Sequence, residues 1–102
     1  MPGFRQPTTG DMGIILEGNA QGQLSVSGSA AQTSAFTDDG YYDLWCDVDV
    51  YIKVGETANN VTTSNGYLLR ANNTLPNVLV RINNKIGAIA GSSGTLRYHK
   101  VS

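Results

Sequence analysis

Five aspartates crowd one stretch of this chain: Asp38, Asp39, Asp43, Asp47 and Asp49. Hard cations such as calcium need several oxygen ligands at once, and carboxylates supply them. Asp47-x-Asp49 is a fragment of such a site, but the glycine and bidentate glutamate of an EF-hand loop are missing at the required offsets. The stronger reading is of solvated charges that keep a strand edge from pairing with the wrong chain. Two carboxylates could also do glycosidase acid–base work, which needs them at a defined separation across a cleft. A chain of 102 residues with no cleft signal argues against that.

Cys46 and His99 are the single cysteine and the single histidine. A nucleophilic cysteine needs a nearby base, and His99 is the one imidazole that could serve. Cys46 shares its register with Leu44 and Val48, which makes it a small buried hydrophobe. One cysteine permits no intramolecular disulfide. No serine sits in a nucleophile-elbow pattern; Ser92-Ser93, between Gly91 and Gly94, reads as a flexible turn. No glycine cluster ends in the Gly-Lys-Ser/Thr of a phosphate loop. The expectation is a protein without enzymatic activity, cofactor or metal.

These residues sit on one long alternating run. Tyr42, Leu44, Cys46, Val48, Val50, Ile52 and Val54 are apolar, and Asp43, Trp45, Asp47, Asp49, Tyr51 and Lys53 fill the other register. Successive side chains of a strand point to opposite faces, so one register packs inward. The other carries Trp45 and Tyr51 outward. Three readings of that pair stand open: a core covered by a second sheet or by the N-terminal arm, an anchor for a protein interface, and a platform for stacking sugar rings. The run is either one strand to Val54 or two strands meeting near Asp47-Val48-Asp49.

The rest of the chain supports the same architecture. Gln23 to Ser27 alternates, Gln32 to Phe36 is a weaker strand, and Asp38-Asp39-Gly40 is a turn with glycine at a positive φ. Asn65-Gly66 is the strongest short hairpin signal, predicting a type I′ turn between residues 61–63 and 67–70. Val78, Val80 and Ile82 alternate with Leu79 and Arg81; Asn83-Asn84 turns into residues 85–90; and residues 95–100 close the chain, with Leu96 and Tyr98 opposite Arg97 and His99. No window repeats apolar residues at helical spacing. Short strands with Gly/Asn turns predict an all-β protein, a small antiparallel β-sandwich or jelly-roll-like barrel. Residues 23–102 form that domain. Residues 1–22, rich in Pro and Gly, form an extended N-terminal arm. Its apolar patch, Met12 to Leu16, is either a first strand of the sandwich or a segment that docks on a neighbour.

Charged residues make up 15% of the chain, against about 25% in typical domains, so Ser, Thr, Asn, Gln and Gly cover the surface. Such a surface suits assemblies, and also extracellular or virion environments. The net charge is −1 and the seven basic residues are scattered, which argues against nucleic-acid binding. No stretch approaches the apolar length of a membrane span. The start, Met1-Pro2-Gly3-Phe4-Arg5, lacks the basic-then-apolar pattern of a secretory leader, so the chain is expected to be made in a cytoplasm and to act there or in a particle assembled there.

From Tyr41 onward the order of motifs resembles a group of small β-sandwich virion structural proteins of tailed bacteriophages. The matching pieces are Gly40-Tyr41-Tyr42-Asp43-Leu44-Trp45-Cys46, Val50-Tyr51-Ile52-Lys53-Val54-Gly55, the Thr/Ser-rich loop from Val61 to Ser64, Leu68-Leu69, Pro76 to Ile82, Lys85 to Ala90, and Gly94-Thr95-Leu96. The resemblance covers about sixty residues. It implies a non-enzymatic virion protein, foremost a capsid decoration or cement protein on the head surface. The implied partners are the major capsid protein and further copies of the chain, a trimer being the working expectation. The alternative is a tail, head-fibre or adsorption module that binds a surface glycan. The expected interface residues are Phe4, Met12, Ile14, Ile15 and Leu16 of the arm, with Trp45 and Tyr51 of the long run. The resemblance brings no catalytic residues.

Overall fold

The computed structural model describes residues 21–102, and all structural statements below concern them. Eight strands follow in order: β1 (Gln21–Val26), β2 (Ala31–Gln32), β3 (Gly40–Cys46), β4 (Val50–Gly55), β5 (Tyr67–Leu69), β6 (Thr74–Val80), β7 (Lys85–Ala90) and β8 (Gly94–Lys100). They form two four-stranded sheets, ordered β1-β8-β3-β6 and β2-β7-β4-β5, with every pair antiparallel. No helix occurs among the described residues.

The pairs β1–β8, β2–β7, β3–β6 and β4–β5 are nested, as in one long hairpin rolled up on itself. That is the topology of an eight-stranded jelly roll. Rolling closes a core between the two sheets. Leu44, Cys46, Val50, Val80, Ile86, Ala88 and Leu96 are fully buried there. The inward registers of β3, β4, β6, β7 and β8 supply it, as the alternation predicts. Phe36, Tyr42 and Tyr98 close one end of the sandwich as a cluster of rings, with centroids 5.0, 5.4 and 6.1 Å apart. Burial pushes the Tyr42 and Tyr98 hydroxyls above the ordinary tyrosine value.

The long alternating run is two strands, and they lie in different sheets. The chain turns the corner at Asp47-Val48-Asp49 while keeping its apolar register inward, so the pattern runs on unbroken across the bend. Gly94 makes the corner possible: a Cβ there would stand 2.5 Å from Asp47 Oδ1 and 2.6 Å from Val48 Cγ2.

Four expectations are corrected in detail. Of the segment 32–36, Gln32 alone is in a regular strand. Beyond it Thr33 N–H donates to Ile86 O, and Thr33 Oγ1 accepts from Ile86 N–H, so a side chain replaces a ladder carbonyl. Gly40 has no positive φ; it opens β3 and leaves room for Lys100, whose Cε would be 2.8 Å from a Cβ. The positive-φ residues are Asn72, Asn77 and Asn83. Ile82 lies in the β6–β7 turn and is 54% exposed.

The largest correction is at Asn65-Gly66. No hairpin joins residues 61–63 to β5. Thr62 and Asn65 bond each other's backbone instead, Thr62 N–H donating to Asn65 Oδ1 and Asn65 N–H to Thr62 Oγ1. Gly66 N–H donates to Thr62 O. Side-chain bonds of this local kind compete with strand ladders. β5 pairs with β4, placing Tyr51 opposite Leu68.

Candidate interaction surface

Trp45 and Tyr51 do not share a face. Trp45 is on the outer face of the β1-β8-β3-β6 sheet and Tyr51 on the outer face of the other. Their common register in the sequence survives, but the corner at residues 47–49 sends the two outer faces to opposite sides of the sandwich.

The Tyr51 face is partly covered by the chain itself, while Leu68, opposite Tyr51, stays 36% exposed. The long β4–β5 connection folds back over it and buries Ala58 and Val61 almost completely. Ala58 N–H and Asn59 N–H both donate to Gln32 Oε1, at 3.0 and 3.1 Å. Lys53 Nζ donates to Asn60 Oδ1 at 2.8 Å, and Lys85 Nζ to Glu56 O at 3.1 Å. Two glycines admit this close approach. A Cβ on Gly87 would run into the Ala58 carbonyl, and one on Gly66 would stand 2.7 Å from Tyr51 Cβ and 2.9 Å from Val61 Cγ2. Tyr51 is therefore half-buried beside this loop.

The Trp45 face differs. Among the described residues no hydrogen bond carries a loop across it. Directly opposed residues of an antiparallel pair lie on the same face, so the ladder defines its rows. One row is Gln23, Arg97, Trp45 and Thr74; the next is Gln21, His99 and Asp43. Tyr41 and Leu79 pair beyond them and are 44% and 38% exposed. His99 Nε2 stands 3.9 Å from Asp43 Oδ2. A shallow hollow of about 420 Å³ lies among Gln21, Gln23, Arg97 and His99. Trp45 itself is half-buried between its neighbours.

The aspartates have structural work. Asp39 Oδ1 accepts from Ile82 N–H at 2.7 Å, Asp43 Oδ1 from Asn77 N–H at 3.1 Å, Asp47 Oδ1 from Thr95 N–H at 2.8 Å, and Asp49 Oδ1 from Ala71 N–H at 2.8 Å. Each ties together chain segments far apart in sequence and supplies an acceptor where the ladder has none. They are not the merely solvated edge charges expected from the sequence. Among the described residues no three Asp, Glu, His or Cys side chains gather as a metal site would require.

Cys46 and His99 are apart. Cys46 is fully buried in the core, where burial pushes its thiol up, while His99 lies on the outer face of β8. Phe4, Met12, Ile14, Ile15 and Leu16, and the extended arm that carries them, lie outside the described residues. The sequence reading missed Arg97, Gln23, Thr74, Tyr41 and Leu79 as neighbours of Trp45. Their outward register was visible, but which strands lie side by side was not.

No family model, no curated protein and no solved structure matches this chain.

Proposed function

We propose that this chain is a non-enzymatic structural protein of a tailed-bacteriophage virion, a decoration or cement protein that binds across subunits of the assembled head. The carrying observation is the asymmetry of the sandwich. One outer face is partly covered by the β4–β5 loop, and the other presents Trp45 directly opposite Arg97, with the exposed Tyr41 further along β3. Trp, Tyr and Arg dominate interface energetics. The jelly roll adds support by analogy, since viral capsid domains use it. The sequence resemblance points the same way. In this reading the Trp45 face meets the major capsid protein or another copy of the chain within a trimer. Binding is restricted to the assembled lattice because the epitope spans adjacent subunits. Modest apolar burial, at about 25 cal/mol per Å², acts at many junctions at once.

The test is co-sedimentation of the purified chain with matching expanded capsids. Saturable binding is expected, weakened at least tenfold by Trp45→Ala or Arg97→Ala, with Tyr51→Phe as the unaffected control. Failure of the unaltered chain to bind overturns the proposal.

A second reading is glycan binding by a tail, head-fibre or adsorption module. The hollow beside Arg97, Tyr98 and His99 favours it, and lectin domains also use the jelly roll. It predicts saturable glycan binding that is lost in Arg97→Ala and independent of capsids.

A further inference from the structure

Asn65-Gly66 is the one Asn-Gly pair in the chain, and that dipeptide carries a reaction of its own. The backbone nitrogen of the following residue attacks the asparagine carboxamide carbon, and glycine, with no Cβ, leaves that nitrogen open to approach. This chemistry is one reason asparagine is thermolabile. In the β4–β5 loop both reacting groups are engaged. Gly66 N–H donates to Thr62 O at 2.9 Å. Asn65 Oδ1 accepts from Thr62 N–H at 2.7 Å, and Asn65 Nδ2 donates to Asn60 O at 3.3 Å. Asn65 N–H donates to Thr62 Oγ1 at 3.2 Å. Attack requires the carboxamide carbon to swing onto Gly66 N and the Gly66 N–H to give up its proton. These four bonds oppose both.

We propose that Asn65 is a site of spontaneous deamidation, held silent by the folded β4–β5 loop and released when that loop opens, and that the isoaspartyl product keeps the loop from closing again.

The reaction balances with water alone. Gly66 N bonds to Asn65 Cγ, the Cγ–Nδ2 bond breaks, and ammonia leaves with the amide proton. Water then opens the succinimide ring. Breaking the bond from nitrogen to Cγ gives aspartate. Breaking the bond from nitrogen to the main-chain carbonyl carbon gives isoaspartate, whose main chain runs through Cβ and Cγ. Neither step oxidises or reduces anything, and either product adds one negative charge.

The two products leave different loops. Aspartate keeps an oxygen for Thr62 N–H and loses only the donor to Asn60 O. Isoaspartate inserts an extra atom into the main chain directly before Gly66, where space is short. A Cβ on Gly66 would already stand 2.7 Å from Tyr51 Cβ, 2.9 Å from Val61 Cγ2 and 3.0 Å from Thr62 O. The lengthened chain therefore cannot keep both the bond to Thr62 O and the close approach to Tyr51. The loop lifts, and Val61, 2% exposed when it is closed, meets water. The result is a slow, one-way release of the face opposite Trp45. It does not depend on what the Trp45 face docks against.

The test is peptide mapping by mass spectrometry of the full chain, aged in mildly alkaline buffer either folded or in guanidinium chloride. In denaturant Asn65 should deamidate faster than every other asparagine, and folding should slow it at least tenfold. A denatured rate no faster than that of the others overturns the site, and a smaller slowing overturns its protection. Thr62→Ala removes the Oγ1 acceptor from the turn and should speed the folded reaction at least threefold; a smaller change overturns the lock. Hydrogen exchange reads the consequence. In the isoaspartyl form, purified by chromatography, the Gly66 amide should exchange at least tenfold faster than in Asn65→Asp, while the β3–β8 amides keep their protection in both. Equal exchange at Gly66 overturns the one-way release.

Discussion

Gly87→Ala should be far more damaging than its size suggests. Gly87 sits in the middle of β7, where alanine would ordinarily be preferred to glycine by roughly 0.5–1 kcal/mol. Its φ is not left-handed, so no backbone strain opposes the change. The obstacle is the Ala58 carbonyl, which occupies the place of the new methyl group. The new Cβ is fixed by the strand backbone and its nearest neighbour is a backbone carbonyl, so no flexible side chain can swing away. The β4–β5 loop must lift. Lifting it exposes Val61, worth about 1.5–3 kcal/mol when fully buried, and breaks the two bonds from Ala58 and Asn59 to Gln32, each worth about 1 kcal/mol. Part of the loop can re-form a looser contact, so a net loss of about 3 kcal/mol follows, toward the upper end of the usual overpacking cost. At about 4–8 °C per kcal/mol for a domain near this size, Tm should fall by more than about 10 °C. Thermal unfolding measures this directly, and exchange of the Ala58 amide should rise in parallel. A loss under about 0.5 kcal/mol, the range of an ordinary surface change, would refute the close approach. Binding through the Trp45 face should survive at temperatures where the variant is folded.

Asp47→Ala should cost roughly 0.5–1.5 kcal/mol by removing the acceptor for Thr95 N–H, whereas Asp47→Asn, which keeps an oxygen in place, should cost less; chemical denaturation separates them, and equal losses would mean that charge rather than hydrogen bonding matters at this corner. Tyr42 and Tyr98 have hydroxyls raised above 10.0, chiefly by burial. The folded state holds these protons more tightly than the unfolded state, so their stabilising effect is fully present below pH 10 and is lost as pH rises through the folded values. The Tyr42 and Tyr98 contribution to tyrosinate absorbance should therefore appear above the ordinary tyrosine range, and Tyr42→Phe with Tyr98→Phe should remove that late component. Absence of any late component in the unaltered chain would contradict the burial of the ring cluster.

Much of the fold was legible because a strand has a period of two. The inward register of Tyr42, Leu44, Cys46, Val50 and Ile52 is read straight from the chain, and all five are buried. The closing strand with Leu96 inward and Arg97 outward is read the same way. Signals that depend on a local turn were less secure. Asn65-Gly66 has the composition of a hairpin, yet Thr62 and Asn65 satisfy each other's backbone and the glycine is needed for clearance from Tyr51. Gly40 likewise looked like a turn glycine and proved to be space for Lys100.

The sequence by itself determined an all-β protein, the side of each major strand that faces the core, and the outward placement of Trp45 and Tyr51. Those follow from alternation, which is local. Tertiary structure decided the rest. It sent β3 and β4 into different sheets, so that two aromatics of one register face opposite ways. It laid residues 56–66 over Tyr51 and left Trp45 beside Arg97. It also turned four aspartates into acceptors for backbone groups distant in sequence. Strand neighbours in a rolled hairpin are set by contacts across long stretches of chain, and a local repeat carries no record of them.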